Sequence, residues 1–251
     1  MQNHSDILIA GDTHGHIPQF NYLAGVAVDN DCDAWLQVGD FGYWEHAPAG
    51  GEFLYGVAEI IQNSGVPIYW LDGNHDYAEW LIRNYEPGED GTYEIRPGLF
   101  FIPRGYSWEW GGRRWLALGG ANSIDRGWRE KEYYKRGYKF WWESEAITEE
   151  DVAKCLEQPK ADVMVCHDAP SAVDLPLQFH KNGQRGLPVP PEFLLNRQRI
   201  QEVVNFHEPD VFYHGHLHIS YTDVPYRGGP KVIGLANEGC FERSWSILRS
   251  A

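Results

Sequence analysis

Five short apolar runs punctuate the chain, and each stops at a polar cluster. Ile7-Leu8-Ile9-Ala10 runs into Gly11-Asp12-Thr13-His14, Ala34-Trp35-Leu36-Gln37-Val38 into Gly39-Asp40, and Pro67-Ile68-Tyr69-Trp70-Leu71 into Asp72-Gly73-Asn74-His75-Asp76. Later, Val163-Met164-Val165-Cys166 meets His167-Asp168, and Val211-Phe212-Tyr213 meets His214-Gly215-His216-Leu217-His218. Apolar runs this short, often β-branched and bounded by Gly, predict buried strands. Helical patterns lie between the first three, over 18–29 and 52–63, the second with Leu54, Val57, Ile60 and Ile61 at helical spacing. Strand–helix alternation predicts right-handed βαβ units in a largely parallel sheet.

The middle of the chain reads differently. Thr92–Ile95, Leu99–Ile102, Tyr106–Trp110 and Arg114–Leu118 predict short antiparallel strands, with Gly111-Gly112 as a hairpin turn. Residues 119–146 follow neither period and are dense in aromatic and basic side chains. Thr148-Glu149-Glu150-Asp151 reads as an N-cap followed by first-turn acids, opening a helix. A longer helix covers about 191–206, and Ser220–Arg227, Lys231–Ala236 and Ser244–Leu248 read as closing strands. With no internal repeat and no linker, 1–251 reads as one domain with an insert at 119–146.

Composition narrows the classes. A chain of 251 residues can bury a substantial core. No apolar stretch reaches the ~20 residues of a membrane helix, and the first Lys or Arg is Arg83, so neither a signal nor a transit peptide is expected. The net charge is −15, and residues 1–82 hold twelve acids with no Lys or Arg. Such a surface argues against a stable nucleic-acid complex and against an anionic membrane. Four scattered cysteines, without a CxxC pair, fit a reducing cytoplasm and argue against a disulfide framework and against a Cys-based zinc site.

Sites in open α/β sheets form beyond the carboxyl ends of the strands. There the five runs deliver Asp12, His14, Asp40, Asn74, His167, His216 and His218, and with His75 five of the eleven histidines collect at strand ends. Singly, Asp12 reads as a turn or cap residue and His167 as a bonded interior histidine; jointly they read as a site. Imidazole, carboxylate and amide donors suit Mn, Fe, Ni or Zn. Seven are too many for one ion and fit a pair ~3.5–4 Å apart.

Gly11-Asp12-Thr13-His14-Gly15-His16, Gly39-Asp40, Gly73-Asn74-His75-Asp76, the lone His167 and Gly215-His216-Leu217-His218 occur in an order that resembles the calcineurin-like metallophosphoesterases. Several loops look like those of small prokaryotic and phage-encoded members. The resemblance implies a four-layer αββα sandwich with two central mixed sheets. It further implies one metal on Asp12, His14 and His218, a second on Asn74, His167 and His216, and Asp40 between them. His75 would act beside the leaving group, with Asp76 orienting it. One departure stands out: the protein Ser/Thr phosphatases read G-D-x-x-D-R after the second strand, where this chain has Tyr43 and Trp44. That argues against a protein-phosphatase role.

The expected activity is metal-dependent hydrolysis of small phosphate esters, with manganese the leading metal. Water ionised between the two metals would attack phosphorus in line, and His75 would protonate the departing alkoxide. Phosphodiesters of the nucleotide or cyclic-nucleotide type lead; phosphomonoesters and nucleotide pyrophosphates are the alternative, ahead of a nuclease or a scaffold that lost its chemistry. The intact ligand set and His75 argue against the scaffold. Residues 125–139 carry six Lys or Arg against three acids, with Trp128, Tyr133, Tyr134, Tyr138, Phe140, Trp141 and Trp142 in or beside them. This segment reads as a base-stacking, phosphate-holding surface, as a homo-oligomer interface, or as a surface lid packing its own aromatics. Arg126, Arg129 and His16 are the candidate phosphate contacts, His16 reading equally as a solvated loop residue. His214 reads as core, Asp168 as a carboxylate steering His167 or capping a turn, and His46, His180 and His207 carry no pattern.

Overall fold

The computed structural model describes residues 1–250 apart from 46, 48, 138, 140, 175–178, 182, 183, 188 and 189, and the backbone alone at 136, 179–181 and 184–187. His46, Tyr138, Phe140 and the His180 side chain therefore lie outside the described residues.

The first half runs β1 (Ile7–Ala10), α1 (Ile17–Asp29), β2 (Ala34–Gln37), α2 (Gly50–Ser64), β3 (Ile68–Trp70), α3 (Ala78–Asn84), β4 (Tyr93–Arg96) and β5 (Leu99–Phe101). The second half continues with β6 (Ser107–Trp110), β7 (Arg113–Leu118), α4 (Arg126–Arg136), α5 (Glu149–Leu156), β8 (Val163–Cys166), β9 (Phe179–Lys181) and β10 (Gln184–Leu187). It closes with α6 (Pro191–His207), β11 (Val211–His214), β12 (Tyr221–Asp223), β13 (Lys231–Gly234) and β14 (Trp245–Leu248).

Two six-stranded mixed sheets result, in the orders β14-β1-β2-β3-β5-β4 and β12-β13-β11-β8-β7-β6. Each has four parallel strands inside and one antiparallel strand on either edge. The pleat shows how they stack. Leu8, Trp35 and Trp70 pack with Phe20, Leu54 and Val57 of α1 and α2 on one face of the first sheet. Their neighbours Ile7, Ile9, Leu36 and Tyr69 pack with Trp115, Val163, Val165 and Tyr213 of the second sheet. Met164, Cys166 and Phe212 then turn outward onto Val152 of α5 and Ile200 and Val203 of α6. Strands buried on both faces explain the unbroken apolar runs, and the layers are helix, sheet, sheet, helix.

Three expectations change. Residues 92–118 do form two hairpins, but their inner strands β5 and β7 pair parallel with β3 and β8 and belong to different sheets. The segment 119–146 contains a helix, α4, which apolar periodicity missed because Arg129 and Glu132 are its buried described side chains. The β9–β10 hairpin and α3 were not foreseen. The predicted cap at α5 is present: Thr148 Oγ1 accepts from Asp151 N at 3.1 Å, and Asp151 Oδ2 accepts from Thr148 N at 2.9 Å. Among the described residues no helix is long and apolar enough to cross a membrane.

Candidate metal centre

The loops after β1, β2, β3, β8 and β11 converge as the strand-end reading expects. Six non-glycine residues among those described have positive φ, and four of them are His14, Asp40, His216 and His218. Left-handed backbone at such side chains costs of order 1–3 kcal/mol each and persists where the surroundings impose it. Two glycines explain the density: a Cβ on Gly73 would fall on Asp40 Oδ1 and His167 Nε2, and one on Gly215 on Asp12 Oδ1.

Asp40, almost wholly buried, stands at the centre. Its Oδ2 lies 3.2 Å from His14 Nε2 and its Oδ1 3.3 Å from His167 Nε2, so the carboxylate turns one oxygen to each side. Asp12 Oδ1 accepts from His216 N at 2.9 Å, and its Oδ2 is 2.9 Å from His218 Nε2. Three sets of donor atoms fall within 4.8 Å: Asp12, His14 and His218; His14, Asp40 and His75; Asp12, Asp40 and His167. Asn74 joins through Oδ1, 3.2 Å from His167 Nε2. His216 is outside these sets; its ring centroid lies 5.1 Å from that of His167.

The donors fit a cation. His167 Nδ1–H donates to the Val38 carbonyl at 2.8 Å, so that Nε2, once deprotonated, offers a lone pair beside Asn74 Oδ1 and Asp40 Oδ1. Three acceptors this close need a positive charge among them. Asp12 Oδ2 is buried and makes no well-aligned hydrogen bond, despite its proximity to His218. The field agrees. Burial by itself lowers His167, yet Asp40 and Asp12 outweigh it and push the ring up to about 10. Burial lowers His14 too, and bonds to Asp40 and Glu238 push it up to about 11. These carboxylates attract positive charge to the loop ends.

His75 borders the cluster. Its backbone N–H donates to Asp40 Oδ1 at 2.8 Å and its carbonyl accepts from Trp44 Nε1 at 3.0 Å. Arg129 Nη2 lies against both ring nitrogens, 2.8 Å from Nδ1, while its Nε donates to Asp125 Oδ1 at 2.7 Å. Burial and Arg129 lower the ring to about 4 despite Asp40. Asp76 takes a different place from the one expected. Its Oδ2 accepts from Gly73 N and Phe41 N at 2.9 and 3.1 Å and its Oδ1 from Gly42 N at 3.2 Å, so it fastens the β2 and β3 loops together. The His75 ring meets Arg129 instead, and its Nε2 lies 3.8 Å from Asp40 Oδ2.

Of the other candidates, Arg126 is more than half exposed, pairs with Glu130 at 3.0 Å and lies over the Trp141 ring at 4.0 Å, while His16 is exposed beside Phe241. His214 is buried core, its Nε2 2.5 Å from Tyr221 Oη, and Asp168 accepts from Asn196 Nδ2 at 3.0 Å. Sequence reasoning missed an outer ring of partners. Glu238 Oε2 accepts from His14 Nδ1 at 2.7 Å, Asn237 Nδ2 lies 3.1 Å from His218 Nδ1, and Ser123 Oγ accepts from Asn74 Nδ2 at 3.1 Å. Asn237 and Glu238 follow β13, so the strand-end rule applied to that strand leads to them.

The model of the calcineurin-like phosphoesterase family matches residues 5–220, and the chain belongs to that family, whose members are hydrolases that use divalent metals. A search of curated protein sequences gave no match. Among solved structures the chain is similar to TT1561 of Thermus thermophilus, with a TM-score of 0.51 at 14% identity over 99% of this chain and 100% of that one. It is also similar to a dimetal phosphatase from Danio rerio, with a TM-score of 0.56 at 12% identity over 99% and 93%. At these identities the likeness concerns the fold.

Proposed function

We propose that the chain hydrolyses small phosphate esters with two divalent cations, manganese foremost, and that phosphodiesters of nucleotide type are its main substrates. The observation that carries the two-cation reading is Asp40, whose two oxygens face His14 on one side and His167 on the other. Asp12, His14 and His218 would hold one cation, Asn74, His167 and His216 the other, with Asp40 shared. Cations there supply the positive charge a phosphate needs and acidify water at neutral pH. The name of the zebrafish relative, a dimetal phosphatase, supports the pair and keeps a phosphomonoesterase as the second reading.

The chain's own groups do the rest. Arg129 binds a phosphate oxygen, filling the role of the arginine absent at Tyr43 and Trp44. In the substrate-free state it rests on His75 and keeps that ring neutral. An incoming phosphate draws the guanidinium away, and the negative charge favours the imidazolium that protonates the leaving alkoxide. The diester preference rests on α4, where Trp128, Tyr133 and Tyr134 are exposed beside Lys and Arg and can stack a base.

The test is a panel of a chromogenic diester, cyclic nucleotides, nucleotide di- and triphosphates and monoesters, run on chelator-treated protein with and without added Mn²⁺. Diester hydrolysis should vanish on chelation and return with Mn²⁺. Turnover indifferent to the chelator ends the proposal, and turnover of monoesters alone shifts it to the second reading.

A further inference from the structure

Asn74 can serve a cation only through Oδ1, because its other end is an N–H₂ group. A freely turning amide offers the wrong end as readily as the right one. Here the choice is fixed by a chain of buried contacts. Asn74 Nδ2 donates to Ser123 Oγ at 3.1 Å, and Ser123 Oγ–H donates to Glu145 Oε2 at 2.6 Å. Ser123 N donates to the other carboxylate oxygen at 2.6 Å. Because Glu145 takes the hydroxyl proton, a lone pair of Ser123 is left for the amide, and Oδ1 is turned towards His167 Nε2.

The far end is fixed too. Arg104 donates to the carbonyls of Ser144, Glu145 and Ala146 at 2.9–3.0 Å and grips Asp72 Oδ2 at 2.6 Å. Asp72 stands two residues before Asn74, so the contacts return to the loop they started from. Resting on the two-cation reading, we infer that Ser123 and Glu145, at the two ends of the segment around α4, are positioning residues that set the amide of Asn74 for the cation it shares with His167 and His216.

Mn²⁺ binding, followed by calorimetry and by the resonance of free Mn²⁺, tests this without turnover. Wild-type protein should bind two ions. Ser123→Ala should keep one and bind the other about 10- to 100-fold more weakly, the usual cost of losing an outer partner of a ligand. Ser123→Thr, which retains the hydroxyl, should restore binding, and Glu145→Gln should fall between. A carboxylate has no wrong end, so in the Asn74→Asp background Ser123→Ala should have no further effect. Two wild-type affinities in Ser123→Ala, or an equal loss in the Asn74→Asp background, overturns the inference while the two-cation reading stands. Wild-type protein that binds fewer than two ions overturns both.

Discussion

Helices α2 and α4 meet the protein with opposite faces. Leu54, Val57, Ile60 and Ile61 are the apolar buried side of α2, a stripe that packs with Trp35 and Phe41 in the first sheet's outer core. On α4 the buried described side chains are Arg129 and Glu132, while Trp128, Tyr133 and Tyr134 face water. Taking a guanidinium out of water costs several kcal/mol unless charge and hydrogen bonds offset it. Asp125 supplies one such bond, and the guanidinium continues to the His75 ring. Packing therefore accounts for α2, whereas the buried face of α4 is polar and carries a guanidinium to the His75 ring at the strand ends.

The largest expected effect belongs to α2. Leu54→Ala should lose about 2–5 kcal/mol of stability in urea unfolding, the range for a buried Leu cut to Ala, with kcat per folded molecule unchanged. Arg129→Ala should do the reverse. Losing a charged hydrogen bond to phosphate is worth ~1.5–3 kcal/mol, so kcat/KM on a diester should fall about 10²-fold, mainly through KM, with unfolding shifted little. Arg129→Lys should not restore it, since an ammonium does not reproduce the guanidinium fork. If Arg129→Ala instead unfolds like Leu54→Ala and turns over normally, α4 is a packing helix and the contrast fails.

The same contrast explains what could be read in advance. Strand ends were legible because a buried strand leaves a short apolar run and its loop follows at once, so Asp12, Asp40, Asn74 and His167 announce themselves. Helix α2 was legible because its buried stripe is apolar. Helix α4 was not, since apolar periodicity cannot report a face made of Arg129 and Glu132. Ser123 and Glu145 lie 22 residues apart without a pattern, and only the tertiary fold joins them to Asn74. Glu238 was within reach, yet an acid after the last parallel strand reads as a turn. Asp76 shows the limit of the resemblance: the motif placed it beside His75, and the structure gives its oxygens to three backbone amides.

Helix α6 sharpens the rule, because it hides both kinds of group. Ile200, Val203 and Val204 are buried on it, and so are Asn196, Arg197 and His207. The polar members end mostly on backbone: Arg197 on the carbonyls of Ala169, Pro170 and Val173, His207 between Ala161 N and the Cys155 carbonyl. Burial alone therefore does not mark a ligand site; what the group faces decides. His207 Nδ1 accepts at 3.1 Å while Nε2–H donates at 3.0 Å, so the ring has to be neutral. Burial first, and Lys160 nearby, hold it below its ordinary value of 6.5. The unfolded chain then takes up this proton at a higher pH than the folded one. Stability is unaffected well above about 6.5 and falls as the pH drops below it, by at most ~1.4 kcal/mol per pH unit from one group. This is the smallest effect expected. Urea midpoints at pH 7.5 and 5.5 should separate more for the wild type than for His207→Gln, which removes the titrating group, and kcat at pH 7.5 should be the same in both. Equal separations would place the acid sensitivity on another group, and a lost kcat would tie the polarity buried on α6 to the site.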